Sequence, residues 1–159
     1  MSGHNQKVLA AGIIALSKAT TWERAKLEWG LHAVYWEDVG TTCLCSHYPI
    51  KEICVLYNAT TGREAIVGNV CVKKFMGLRS NEIFVSLKRI DKNIHKSLST
   101  EAILHAYDSE WINEWERDFY FGTTMRRRLT PKQMAKRVQI NELVLRKSRN
   151  EFKNRKEKQ

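Results

Sequence analysis

The chain has 159 residues and a formal net charge of +10, and 43% of its residues are hydrophobic. This size and composition predict one ordinary domain, residues 1–159, with a buried core. They argue against an integral membrane protein, because no apolar run reaches the ~18 residues that a membrane-spanning helix needs. The amino end does not resemble a signal peptide, so we expect a reducing, cytoplasmic environment.

The first segment, residues 1–40, is predicted to consist of helices. The apolar stretch 7–18 is typical of a short packed helix. A capping box, with Glu23 three residues after Thr20, predicts a second helix that runs to about Leu31. Tryptophans recur at helical spacing in this region, and we interpret them as core residues in preference to base-stacking platforms.

Residues 41–78 carry the most informative pattern. Residues 50–57 and 63–67 have the apolar and β-branched character of strands, and the turn between them ends at Gly62, which accepts a positive φ. All four cysteines of the chain lie between positions 43 and 71, around this predicted hairpin. Soft ligands before a hairpin and at the start of the following helix are typical of a treble-clef zinc finger. The predicted fold class is therefore α+β, mostly helical.

The predicted metal ligands are Cys43, Cys45, His47 and Cys71. Three thiolates and one imidazole complete the four-coordinate shell of a structural Zn2+ site. Cys54 is the spare cysteine, because it lies mid-strand, where a small buried residue is expected. Cys54 in place of His47 stays open as the fourth ligand, and two disulfides, ordinary buried thiols and an iron cluster stay open as alternatives to the zinc site.

Residues 79–125 are predicted to form a helical region. A short helix from Cys71 closes at Gly77, and two more helices follow at 82–90 and 102–107. A stronger helix is predicted to begin near 108–109. Its aromatic face consists of Trp111, Trp115 and Phe119. Its carboxylates are interpreted as a solvated face, because no side chain is spaced to partner them in acid–base chemistry.

The last segment, residues 126–159, carries the whole net charge. It holds thirteen Lys or Arg against three Glu, while residues 1–125 are neutral. Thr130 followed by proline at the first helical position predicts a helix from Pro131 to about Phe152. Its main predicted apolar stripe is Met134, Val138, Leu145 and Phe152, and a second, looser one is Ile140, Leu143 and Val144.

Such a concentrated positive charge favours phosphate, because neutralising phosphates releases counterions. DNA or RNA is therefore the expected partner, and an acidic protein is the alternative. The residues predicted to contact nucleic acid are Lys73, Lys74, Arg126, Arg127, Arg128, Lys132, Lys136, Arg137, Arg146 and Lys147.

Several motifs occur in a fixed order between about residues 20 and 145. They include Cys43-x-Cys45-x-His47, Val67-Gly68-x-x-Cys71-x-x-Phe75 and Trp115-Glu116-x-x-Phe119-Tyr120. This order resembles a group of small zinc-finger proteins of phages and mobile elements. The resemblance implies a treble-clef module with zinc on Cys43, Cys45, His47 and Cys71, a helical tail, nucleic-acid handling, and the cytoplasm of a bacterium or host cell. Ser46 departs from the glycine that often follows the second cysteine in that group.

An enzymatic alternative is a metal-dependent nuclease of the His-Asn-His type, which is also built on a treble clef. His47 and Asn58 match its first two positions, but Cys71 stands where a second histidine is needed on the helix. We therefore expect a zinc-stabilised nucleic-acid-binding protein and not an enzyme. The second hypothesis is a phage or mobile-element factor that binds a host protein and inhibits or redirects it.

Overall fold

The computed structural model describes the backbone of residues 3–157 and the side chains of that range except 151–154, 156 and 157. Within the described residues it contains seven α-helices and one three-stranded antiparallel sheet, so the fold class is α+β and mostly helical. The chain divides into two compact units, Met1–Asn81 and Glu82–Gln159. No helix in the described range is both long enough and apolar enough to cross a membrane.

The first unit is built on the sheet. Its strands are β1 (Trp29–Thr41), β2 (Ile50–Asn58) and β3 (Glu64–Gly68), and β2 lies in the middle. The predicted hairpin is confirmed as the antiparallel pair β2–β3. The Asn58 side chain accepts hydrogen bonds from two backbone N–H groups of the turn, and Gly62 has a φ of +73°. This turn therefore uses the chemistry that its sequence predicts.

The N-terminal helices predicted in residues 1–40 are present only in part, and the predicted second helix does not reach Leu31. Helix α1 (Gly3–Ala15) agrees with the prediction, but α2 spans only Trp22–Ala25 and a 3-10 turn ends at Glu28. The N-cap of α2 is Thr21 and not Thr20, and its side chain makes no capping bond, so the helix does not start with the capping box predicted at Thr20 and Glu23. From Trp29 onward the chain pairs with β2, and pairing with a distant strand overrides the local helical pattern.

The first unit closes with a short helix after the hairpin. Helix α3 (Asn69–Cys71) continues into a π-helical turn over Val72–Met76. Gly77 ends it with a φ of +68°, a left-handed conformation that glycine adopts without a steric penalty. The predicted helix is therefore present and begins two residues before Cys71.

The second unit contains helices α4 (Ser80–Lys92), α5 (Thr100–Asp108), α6 (Glu114–Thr123) and α7 (Pro131–Glu157). The first two residues of α4 belong to the first unit. One polar bridge is buried in the second unit. The Tyr120 hydroxyl donates to Asn141 Oδ1 at 2.7 Å and accepts the backbone N–H of Leu98 at 2.9 Å. The Asn141 side chain in turn donates to two backbone carbonyls of the α4–α5 connection. This bridge fixes α6 and α7 against that connection.

Helix α6 begins about five residues later than predicted. Asn113 and Glu116 form a reciprocal capping box, which starts the helix at Glu114. Trp111 therefore lies outside the helix and is buried, while Trp115 is exposed. The prediction that Trp111 and Trp115 share one packed face is wrong.

Helix α7 starts at Pro131, as predicted, and Thr130 and Gln133 cap it reciprocally. Its buried face differs from the main predicted stripe. The fully or nearly buried residues are Arg137, Ile140, Asn141, Val144 and Ser148, whereas Met134, Val138 and Leu145 are half-buried. Ile140 and Val144 belong to the second, looser stripe that the spacing predicted. The main stripe is only half-buried, because the buried face also includes polar residues that hydrogen-bond inside the unit. The side chain of Phe152 lies outside the described residues.

Candidate metal centre

Three of the four cysteines converge in the first unit. Cys43 and Cys45 lie in the loop between β1 and β2, and Cys71 is the last residue of α3. Their sulfur atoms all lie within 4.8 Å of one another, and all three side chains are buried. The Sγ atoms of Cys43 and Cys71 are 3.9 Å apart. Two thiolates on one tetrahedral zinc, each bound at about 2.3 Å, would lie about 3.8 Å apart. This group can hold a metal ion.

Backbone hydrogen bonds fix the shape of the cysteine loop. The Cys43 N–H donates to the His47 carbonyl at 2.9 Å, and the Ser46 N–H donates to the Cys43 carbonyl at 2.8 Å. Ser46 has a φ of +75°, so this serine takes the left-handed conformation that glycine would adopt more easily. The Leu44 N–H donates to Ile66 of β3. The loop is therefore folded back onto the sheet with both sulfurs pointing to the same place.

Helix α1 packs directly on this loop. A Cβ atom at Gly12 would lie 2.9 Å from Leu44 Cγ, so the absence of a side chain there permits the close approach. From the same helix, Asn5 Nδ2 donates to the Cys45 carbonyl at 3.3 Å and to Cys45 Sγ at 3.7 Å. The amino-terminal helix thus contacts Leu44 and Cys45 of the cysteine loop.

Backbone amides also point at the Cys43 sulfur. Gly68 N lies 3.2 Å from it and Cys45 N lies 3.4 Å from it. Donated N–H groups stabilise a thiolate more than a thiol, because they interact with the negative charge. Amide donors of this kind are the outer partners that orient and tune metal-bound sulfur.

The Cys43 and Cys71 thiols titrate as a pair. The hydrogen bond with Cys71 lowers the pKa of Cys43 to about 5, and the N–H groups of Gly68 and Cys45 act in the same direction. The hydrogen bond with Cys43 raises the pKa of Cys71, and burial and the negative charge of the Cys43 sulfur act in the same direction. One proton is therefore lost easily and the other is held. A bound cation would remove this repulsion and allow all three sulfurs to ionise.

His47 is the fourth predicted ligand, and the structure places it outside the three-sulfur group. Its side chain is exposed two residues after Cys45. It does line the same cavity of about 460 Å³ that the three cysteines line, together with Trp36 and Glu52. The histidine is thus near the site, and its role as a ligand stays a prediction.

Cys54 is also outside the group. It lies in the middle of β2, paired with Val34 on one side and Val67 on the other, and is fully buried. Burial raises the pKa of its thiol to about 12. Its surroundings are those of the small core residue that its mid-strand position predicts.

Comparisons of the chain with protein-family models, curated proteins and solved structures found no match. The resemblance to phage and mobile-element zinc fingers stays a prediction. The case for a metal centre therefore depends on the geometry of the three sulfurs and their amide donors.

The predicted nucleic-acid contacts differ in their exposure. Seven of the ten side chains are exposed: Lys73, Lys74, Arg126, Arg127, Arg128, Lys132 and Arg146. Lys136 and Lys147 are half-buried, and Lys136 Nζ lies 4.0 Å from a carboxylate oxygen of Glu116. The three consecutive arginines occupy the connection between α6 and α7, where no helix face restricts them.

Arg137 is placed differently from the other cations. It is only 7% exposed, and its guanidinium donates to the Thr123 carbonyl at 3.1 Å at the end of α6. A second donor lies 3.5 Å from the His95 carbonyl. This arginine therefore satisfies backbone acceptors inside the second unit. Charge counting did not separate it from its neighbours, because its burial follows from the helix face that α7 turns inward.

Proposed function

We propose that the protein is a nucleic-acid-binding protein whose first unit folds around one structural Zn2+ ion. Cys43, Cys45 and Cys71 would hold the ion, and His47 would provide the fourth ligand in a treble-clef-like arrangement. The observation that carries this proposal is the group of three buried sulfurs, with 3.9 Å between two of them.

Zinc fits this donor set better than the hard cations. Thiolate and imidazole ligands suit zinc, whereas magnesium and calcium prefer oxygen ligands. The three sulfurs come from the β1–β2 loop and from α3, so a shared ion would join two segments 28 residues apart in sequence. Such an ion contributes free energy of folding, because the unfolded chain has no preformed site. We therefore assign the metal a structural role.

The nucleic-acid part of the proposal depends on charge. Residues 126–159 carry all of the excess positive charge, and Arg126, Arg127 and Arg128 are exposed. Exposed arginines in a connection without regular structure can each reach a phosphate and pair with it through two N–H groups. Lys73 and Lys74 form a second exposed pair on the first unit. Arg137 is left out of the proposed surface because it is buried.

Charge reversal tests the arginine cluster. The triple variant Arg126→Glu, Arg127→Glu and Arg128→Glu should weaken binding to DNA of any sequence by a similar factor. The slope of log affinity against log salt concentration should become less steep by the contribution of about three phosphate contacts. The measurement is fluorescence anisotropy with labelled oligonucleotides over a range of salt concentrations.

A charge-matched control separates local contact from net charge. Lys7, Lys18 and Lys92 are exposed and lie outside the proposed surface, and changing all three to Glu alters the net charge by the same amount. We expect the control to retain most of the affinity at physiological salt. Equal loss of affinity in both triple variants would reject the assignment of the phosphate contacts to residues 126–128.

A further inference from the structure

We propose that the exposed face of α6 is a stacking platform for single-stranded nucleic acid. A base would stack on Trp115, and the strand would continue toward the arginines of the α6–α7 connection. This inference rests on the proposed function and names the form of nucleic acid that the second unit binds.

The first observation is the exposure of Trp115. It is 60% exposed, although it is a large aromatic residue on a regular helix. The other four tryptophans of the chain are buried or half-buried. Trp115 stacks on Phe119, one helical turn later, with ring centroids 5.5 Å apart and an angle of 13° between the planes. This stack holds the indole in one orientation, so a base would lose less entropy on binding to it.

The face that carries Trp115 is open one helical turn beyond Phe119. Gly122 lies seven residues after Trp115 on the same face, and no atom lies within 4 Å of the position that a Cβ would take there. Beyond the helix, Met125 is 93% exposed. At about 1.5 Å per residue, the helix rises about 12 Å from Trp115 to its last residue, Thr123, and this methionine follows two residues later. The path from Trp115 to Met125 therefore ends at the arginine cluster.

Cations lie close to the aromatic residues at both ends of the path. Lys136 Nζ lies over the face of the Trp115 ring, 5.2 Å from its centre, so a stacking base would displace the ammonium toward the phosphates. Arg126 follows directly after Met125. Aromatic rings with cations beside them are the usual pattern of proteins that bind single strands, because the rings take the bases and the cations take the phosphates.

The carboxylates of α6 are already bound to other groups. Glu116 accepts the Asn113 N–H at 3.0 Å and lies 4.0 Å from Lys136 Nζ. Asp118 lies 3.1 Å from the Arg117 guanidinium, and Glu114 lies 3.6 Å from it. Each negative charge near the platform therefore has a positive or hydrogen-bonding partner, which reduces its repulsion of a phosphate.

The geometry favours a single strand over a duplex. In a duplex the faces of the bases are stacked on one another, so an indole on a protein surface cannot reach them without unstacking. A single strand presents those faces freely, and stacking on an aromatic side chain tolerates any base. A duplex would contact only the cations, and Trp115 would contribute little to its affinity.

The test compares Trp115→Ala with Trp115→Phe. The probes are a fluorescein-labelled dT15 oligonucleotide and a labelled duplex of the same length. We expect Trp115→Ala to weaken dT15 binding by about tenfold or more and duplex binding by less than about twofold. Trp115→Phe retains a ring and should restore most of the dT15 affinity. Phe121→Ala removes a neighbouring, partly exposed ring and serves as the matched control, with little effect expected.

Intrinsic fluorescence provides a second readout. Since Trp115 is the most exposed tryptophan, dT15 should quench part of the fluorescence of the wild type, and this quenching should be absent in Trp115→Phe. Normal dT15 binding by Trp115→Ala, with loss in the triple arginine variant, would reject the platform and leave the proposed function standing. Failure of the wild type to bind either probe would reject both. A protein partner that remains bound to the wild type after nuclease treatment, but is lost in Trp115→Ala while the dT15 affinity is unchanged, would reject the platform in favour of protein docking.

Discussion

Replacing Cys71 with alanine should release the metal, whereas replacing Cys54 with alanine should leave it bound. Both side chains are buried, and both changes delete one sulfur atom from the interior. The two residues differ in their neighbours, because Cys71 belongs to the three-sulfur group and Cys54 lies in the core of the sheet. The pair of variants therefore separates the loss of a ligand from the loss of packing.

The size of the effect follows from the site. Residues that only orient a metal ligand each contribute about 10–100-fold to metal affinity, so the loss of a thiolate should cost at least about 100-fold. At a fixed concentration of free zinc this factor corresponds to about 2.8 kcal/mol of lost stabilisation. Cys71→Ala also removes the hydrogen bond that lowers the pKa of Cys43, so the remaining site ionises less readily. The packing cost, about 1 kcal/mol, is similar in both variants.

Two measurements check this prediction. Competition with a chromophoric chelator gives the zinc affinity of each variant, and thermal unfolding with and without chelator gives the stabilisation by the metal. In the wild type and in Cys54→Ala, the chelator should lower the midpoint of unfolding of the first unit. In Cys71→Ala, it should have little effect, because little metal is bound. Equal zinc affinities in the two variants would refute the assignment of Cys71 as a ligand.

Two further predictions concern stability in each unit. Tyr120→Phe should lower the free energy of unfolding by about 1–3 kcal/mol in chemical denaturation, because it removes the hydroxyl that joins Leu98 N and Asn141 Oδ1 and leaves both without that partner; an unchanged stability would contradict the buried bridge. Burial raises the pKa of the Cys54 thiol in the folded state to about 12, above the ordinary value of 9.0. Between about pH 9 and pH 12 the thiol ionises in the unfolded state but not in the folded state, so the free energy of unfolding of the wild type should decline over this range. Cys54→Ala should lack this part of the decline, and identical alkaline profiles of the two proteins would show that the thiol is not held in its protonated form.

The elements that the sequence predicted well are those whose signals are local. The β2–β3 hairpin follows from two β-branched runs around a turn with Gly62. The start of α7 follows from Thr130 and Pro131, which lie next to each other. Turn and capping residues act on backbone groups only a few positions away, so a short stretch of sequence contains the information.

The elements that the sequence predicted wrongly depend on distant partners. Strand β1 carries tryptophans at helical spacing, and its strand conformation is decided by pairing with residues of β2 that lie 9 to 29 positions later. Helix α6 starts at Glu114, after the Asn113 cap, and not near 108–109, and Trp111 is buried outside the helix. Neither the pairing partner nor the burial can be read from local spacing.

The candidate site shows the same division. The cysteines stand out because of their chemistry and their spacing around a hairpin, so three of the four predicted ligands were found together. The groups around them come from elsewhere: Asn5 belongs to α1, and the Gly68 N–H is a backbone donor at the end of β3. A backbone donor has no sequence signature beyond the glycine itself, which here also allows Ile50 to approach closely.

X-ray absorption at the zinc edge tests the central claim most directly. The sample is the full chain, purified without added metal and shown to be folded. We expect one zinc per chain with three sulfur neighbours at about 2.3 Å and one nitrogen neighbour at about 2.0–2.1 Å, and we expect the nitrogen to be lost in His47→Ala. A folded protein that contains no metal, or a zinc shell made only of oxygen and nitrogen, would contradict it.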